Sequence, residues 1–298
     1  MQVFLERLFD GISNGAIYAA LALALVMVFR GTGTINFAQG EMALFTTYIA
    51  WGLTTKNIPV VLCLLIATIA GFTLGAVTER VLVRPIEKRS LLATLIVLLG
   101  LFLALNSLDG ILWGNQNHSM PSLFPNGVNS FISVDGARLY WANLGVWLLV
   151  ALLVGAMFQL FNRTRLGLHM RATASNRESA ALAGIPTGRI LLLGWGISAA
   201  IGAVAGVLFT PLNPDALGLG EMFPLLIYAS AAALFGGLDS PGGAVIAGLL
   251  IGVAESMLSG YVSAIGGQLQ EAIAFVAIVM VLLIRPQGLF GSKEVERV

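Results

Sequence analysis

Apolar residues in this chain come in long uninterrupted runs, without the alternation of a half-buried strand or the single stripe of a surface helix. Crossing a hydrocarbon layer about 30 Å thick takes ~20 residues of helix at a rise of ~1.5 Å each. Runs of that length lie at residues 11–29, 58–79, 91–112, 142–162, 190–211, 241–262 and 269–284, and shorter ones at 42–55 and 224–237. The pattern predicts an all-α bundle of eight to ten helices, nine in the central reading, within a single domain over 1–298. Two glycine-rich stretches interrupt it, Arg30 to Met42 and Phe235 to Gly243. Non-helical backbone at membrane depth is tolerated only where protein buries it or water reaches it. Each break is therefore a tight turn at the membrane surface or a re-entrant segment lining a path.

Between the runs at 142–162 and 190–211 lies a polar segment, Arg163 to Arg189, with arginines at 163, 165, 171, 177 and 189 and one acid, Glu178. Within it Ser175-Asn176-Arg177-Glu178 has the spacing of a capping box, Ala181 and Leu182 follow, and Gly184 before Pro186 supplies a stop. A helix of about two turns over Asn176 to Ala183 is expected, too short to persist alone in water. Placing this segment inside also puts 13 of the chain's 16 lysines and arginines inside. Basic loops stay on the cytoplasmic side, so the amino terminus is expected outside and the carboxyl terminus inside. The loop 113–141 then lies outside, with Trp113, Tyr140 and Trp141 at its edges as an interfacial belt.

Composition agrees with the runs. Hydrophobic residues make up 57% of the chain, charged residues 10%, and mean hydropathy is +0.90, which is membrane composition. A cleaved leader is not expected, because Glu6, Arg7 and Asp10 crowd the start without a small-residue cleavage site. One cysteine, Cys63, excludes an internal disulfide framework. The balanced charge carries no sign of nucleic-acid binding. No phosphate-cradling G-x-x-x-x-G-K-[ST], H-E-x-x-H or G-x-S-x-G occurs, so neither ATP hydrolysis nor another enzymatic activity is expected of this chain. His118 and His169 fall on opposite sides, which argues against a shared metal. Ionisable residues inside apolar runs mark function or structural pairing. They are Glu41, the pair Glu79-Arg80, Glu255 and Glu271. Candidates for a solute path are Asn36, Gln39, Glu41 and Glu255. Small residues recur at helical spacing, as at Gly11/Gly15, Gly71/Gly75 and Gly248/Gly252, and serve either bundle packing or a sliding surface.

Several segments together carry a family resemblance: Gly15-Ala-Ile-Tyr18, Thr34-Ile-Asn-Phe-Ala-Gln-Gly-Glu41, Glu79-Arg80-Val-Leu-Val-Arg84-Pro85, Arg165-Leu-Gly-Leu-His-Met-Arg171, Ala181-Leu-Ala-Gly184, Gly236-Gly-Leu-Asp-Ser-Pro-Gly-Gly243 and Arg285-Pro-Gln-Gly. The chain resembles the permease subunits of branched-chain amino acid ABC importers, the LivH type, essentially end to end. Gln39 departs from the histidine common at that position. The resemblance implies a bacterial inner-membrane importer with a second related permease, two cytoplasmic ATPases that bind ATP and Mg, and an extracytoplasmic solute-binding protein. It also implies that 163–189 contains the coupling helix that docks on an ATPase. The residues assigned to it are Arg171, Ser175, Asn176, Arg177, Glu178, Ala181, Leu182 and Gly184. The solute is expected to be a branched-chain or other hydrophobic amino acid, with urea, short amides or another small solute as the alternative. A stand-alone secondary transporter or channel is the rival from another class.

Overall fold

The computed structural model describes residues 1–86, 90–213, 217–261 and 288–291, together with 276, 279 and 283. The span expected over 269–284 falls largely outside the described residues, as do Glu271, Lys88, Arg89, Arg285, Lys293 and Arg297. Among the described residues the named α-helices are, in order, α1 Gln2–Thr32, α2 Gln39–Thr54, α3 Val60–Thr78, the single turn α4 Arg84–Ile86, α5 Leu91–Trp113, α6 Trp141–Arg163, α7 Arg165–Ser175, α8 Arg177–Leu182, α9 Thr187–Phe209, α10 Met222–Gly236 and α11 Pro241–Tyr261. Among the described residues six helices are long and apolar enough to cross a membrane, and α10 is a shorter apolar helix.

The helices share two ends. At one, the arginine end, α1 finishes with Arg30 in its last turn, α3 passes into Glu79–Arg84, α6 ends, and α7 and α8 lie before α9 begins. At the other, the loop end, residues 114–140 cover the bundle and His118 bridges to Leu217. The loop contains a structured element that periodicity alone does not predict. Strands β1 Phe131–Val134 and β2 Ala137–Tyr140 form an antiparallel hairpin. Its turn residues Asp135 and Gly136 both have positive φ, the requirement of a tight two-residue hairpin that Asp-Gly meets.

Helix α1 is the axis. Residues Ala16 to Val28 are buried all round, which is why its apolar run has no polar stripe. Packing between helices in lipid gains little from hydrophobic transfer, so close backbone approach must supply dispersion contacts. Two pairs achieve it with glycine. A Cβ at Gly252 of α11 would overlap the backbone of Gly15 of α1, and one at Gly75 of α3 would overlap the Trp195 carbonyl of α9. By contrast α3, α5 and α6 turn much of their surface outward, with Ile69, Leu103, Ile111 and Leu152 exposed.

The two breaks resolve differently. Gly33 ends α1 in a left-handed conformation, its N–H bonded to Phe29 O at 2.7 Å. The chain then turns back into the bundle, where Asn36, Ala38 and Gln39 are fully buried. Gln39, the first residue of α2, meets Ser198, eleven residues into α9, about 17 Å from that helix's start. The first break is therefore a re-entrant stretch. The second is a tight turn at the arginine end, where Ser240 Oγ accepts the Gly243 N–H at 3.1 Å and Pro241 opens α11. Serine before proline at a helix start is the expected chemistry.

Candidate functional site

The polar segment folds into two short helices. Thr164 caps α7 by accepting the Gly167 N–H at 3.1 Å, and Ser175 is the last residue of that helix rather than a cap. The cap of α8 is Asn176, whose Oδ1 accepts the Ser179 N–H at 2.8 Å. The capping box expected from Ser175 is thus displaced by one residue, because α7 keeps Ser175 in helical geometry and asparagine supplies the oxygen. The expected stop is present. Gly184 has φ +82°, its N–H bonds to Ala181 O and that of Ile185 to Ala180 O, both at 3.0 Å. This paired closure suits glycine, since a Cβ is disfavoured at positive φ. Between the caps, Glu178, Ala181 and Leu182 are exposed, Leu182 at 90%, while Ala180 is buried.

The other arginines of the segment are not equivalent. Arg171 donates to the carbonyl oxygen of Phe161 and lies near Asn162 Oδ1, so it satisfies the carboxyl end of α6. Arg177 is partly buried. Burial pushes its guanidinium below the ordinary arginine value, with Glu79 opposing and Arg84 adding to the fall. Glu79 pairs not with Arg80 but with Arg84, whose Nε reaches Oε1 at 3.0 Å and whose Nη2 reaches Oε2 at 2.8 Å. The reason is local: Glu79–Val83 forms a π-helical turn, and its i,i+5 period puts residue 84, not residue 80, on the face of residue 79. Arg84 Nη2 also donates to the Gly188 carbonyl, tying the end of α3 to the start of α9. Arg30, Arg171, Arg177, Asn176 and Asp239 line a cavity of about 770 Å³ beside these ties.

The four path candidates occupy three places. Asn36 and Gln39 form one group: Asn36 Nδ2 donates to Gln39 Oε1 at 3.1 Å, and Gln39 Nε2 donates to Ser198 O at 3.0 Å. Ser198 Oγ lies within reach of both Ala24 O and Gln39 Oε1, so α1, α2 and α9 are joined at mid-bundle. Glu41 forms the second. Its Oε1 accepts from Asn106 Nδ2 at 3.3 Å, its Oε2 has no partner, and nearby Asp109 and the Tyr48 hydroxyl have none either. Asp109 escapes the sequence reading, although Asn106-x-x-Asp109 inside an apolar run is a readable polar pair on one helix face. Glu255 is the third. Tyr18 donates to its Oε2 at 3.1 Å and stacks on Tyr228 with ring centroids 4.9 Å apart. Glu255 faces a cavity of about 340 Å³ at the loop end, together with Arg7, Asp10, Asn143 and Ser256. His118 stacks on Trp51 and His169 lies on α7, so the histidines are far apart. Among the described residues no group of three or more metal-binding side chains converges.

Comparison with known proteins places this architecture. A family model described as branched-chain amino acid transport system / permease component matches residues 7–284. The chain belongs to that family of ABC importer permeases. It is 32% identical over 310 residues to the high-affinity branched-chain amino acid transport system permease protein LivH of Escherichia coli K12, covering 99% of this chain and 98% of the relative. It is 31% identical over 309 residues to BraD of Pseudomonas aeruginosa, with the same coverage. A solved structure, PsaBC from Streptococcus pneumoniae in complex with Fab, aligns over 96% of this chain and 93% of its own with a TM-score of 0.50 at 13% identity, a likeness of fold alone. As a permease component the chain is a non-catalytic subunit.

Proposed function

We propose that this chain forms half of the translocation path of an importer for branched-chain amino acids in a bacterial inner membrane. The arginine end lies in the cytoplasm, and α8 seats in a groove of an ATPase subunit. The observation that carries the reading is α8 itself: a capped helix that, with α7, sits between the long helices α6 and α9, with Ala181 and Leu182 exposed. The relatives' printed names supply the solute class. Partners are a second permease, two ATPases and a solute-binding protein that docks at the loop end.

Motion passes through contacts already described. When the ATPase pair closes, α8 is pushed, and its push reaches Arg177, the Glu79–Arg84 pair and the Gly188 carbonyl. Helices α3 and α9 then tilt as one body because Gly75 locks them at the Trp195 carbonyl. Such a lever moves as a rigid element between two arrangements. Asn176, Glu178 and Gly184 hold α8 in shape, Ser175 belongs to the end of α7, and Arg171 fixes the end of α6. Asn36 and Gln39 serve as a mid-bundle joint, Glu41 as a buried polar contact on α5, and Glu255 as the group nearest the entering solute.

The test is reconstitution. This chain, co-expressed with its partner permease and ATPases, should purify as one complex. In liposomes that complex should take up leucine only with ATP and the loaded binding protein. Uptake by this chain alone would overturn the reading and support a stand-alone transporter.

A further inference from the structure

The polar cleft at the loop end is a cavity built from side chains of α1, α6 and α11. Helix α1 brings Arg7 and Asp10 to its mouth, both exposed, and Ser13 deeper in. Helix α11 brings Glu255, only 3% exposed, and α6 brings Asn143, 4% exposed. Ser13 and Ser256 are already occupied: Ser13 Oγ accepts from Trp147 Nε1 at 2.9 Å, and Ser256 Oγ donates to the Arg7 carbonyl at 2.7 Å. Asn143 is less committed. Its Nδ2 is buried and faces the cleft, and among the described residues it makes no close hydrogen bond, the Asp10 carboxyl being a looser partner. A buried donor left unpaired costs about 1–3 kcal/mol, and native proteins rarely keep one without a ligand or water to meet it.

The charges in the cleft carry both signs. A carboxylate sits at the base, steadied by the Tyr18 hydroxyl, and a guanidinium and a second carboxylate stand at the mouth. At about 340 Å³ the volume lies at the lower end of the ~300–1,000 Å³ typical of small-molecule sites. The lining is polar, so it suits the charged end of a solute and not a hydrocarbon side chain.

We propose that this cleft binds the zwitterionic end of a free α-amino acid as it enters the permease. Glu255 and Asp10 receive the ammonium, and Asn143 Nδ2 with Arg7 receives the carboxylate. The inference rests on the importer reading above and adds a site to it. The permease itself selects for an amino acid main chain, while choice among side chains is left to the binding protein. The Tyr18–Tyr228 stack closes the base, so an inward-opening tilt must part these rings before the solute descends.

The experiment uses the assembled complex in liposomes without binding protein. Cys63 is buried and is replaced by alanine, and S259C at the cleft lip is labelled with an impermeant maleimide. Leucine should slow labelling, whereas 4-methylpentanoate, lacking the ammonium, and leucinamide, lacking the carboxylate, should not. Glu255→Gln should weaken leucine protection roughly tenfold, the scale of one lost charge-assisted hydrogen bond. Tyr18→Phe, which keeps the carboxylate, should weaken it less. Labelling unaffected by leucine, protection unchanged by Glu255→Gln, or protection by phosphatidylethanolamine and not by leucine would each overturn the proposal. ATP-driven uptake with binding protein restored is measured on the same preparation. Its loss before any substitution would remove the importer reading, whereas normal uptake with an unprotected S259C would remove the cleft alone.

Discussion

At the arginine end, the polar side chains that shape α8 and tie α3, α6 and α9 are committed to backbone and to each other. Asn176 caps α8, Arg171 closes α6, and Arg84 joins Glu79 to the first turn of α9. At the loop end, Arg7 and Asp10 stand exposed, and among the described residues Asn143 Nδ2 makes no close hydrogen bond inside the cleft. A part that must transmit force benefits from groups locked to rigid elements, because slack would absorb the displacement. A part that must receive a solute benefits from groups left waiting, because a satisfied donor has nothing to offer. The contrast separates a lever from a receptacle within one bundle.

The largest effect that would break the contrast lies where the lever is joined. Gly75→Val forces a branched side chain into the Trp195 carbonyl, a collision with backbone that cannot rotate away. The expected loss is about 3 kcal/mol or more, read as a fall in the thermal unfolding midpoint of the purified protein in detergent. Valine at Gly100 of α5, which has no atom within 4 Å of its added Cβ, should lower the midpoint far less. Equal midpoints for the two variants would mean that α3 and α9 are not locked together.

A smaller effect sharpens the description of the lever's tip. Asn176→Ala removes the oxygen that meets the Ser179 N–H and should cost α8 about 1 kcal/mol. Ser175→Ala, one residue earlier, should cost almost nothing. Hydrogen exchange at the amides of residues 179–182 separates the two, with faster exchange expected only in the first. The reverse order would restore the serine cap that the S-x-x-E spacing suggests.

That one-residue displacement shows where the chain is legible from its residues alone and where it is not. Long apolar runs announce α1, α3, α5, α6, α9 and α11 because lipid leaves a helix no other source of backbone partners. Gly184 and Pro186 mark the end of α8 because only glycine accepts that backbone easily. The family segments mark the class. What is lost is whatever depends on which side chain wins a local competition. Ser175 and Asn176 are both good caps, and α7, whose apolar content is low, decides between them from outside the motif. Arg80 and Arg84 both lie within reach of Glu79, and a π-helical turn decides for Arg84. The re-entrant path through Asn36 and Gln39 depends on Ser198, more than 150 residues away, which no local pattern can announce. Glu255 stands out in its apolar run, but its partner Tyr18 does not, because a tyrosine in an apolar run reads as ordinary packing. Asp135-Gly136 and Asn106-x-x-Asp109 were readable and are the signals that periodicity passes over.

The most direct measurement of the central claim is made at Leu182, exposed at the tip of α8 and touching little of its own chain. In the assembled importer Leu182→Glu should leave thermal stability within about 0.5 kcal/mol of the parent and cut ATP-driven leucine uptake by about tenfold or more, as loss of an interface anchor does. Uptake and binding-protein-stimulated ATP hydrolysis both unchanged in that variant would contradict the claim that the bundle is driven through this helix.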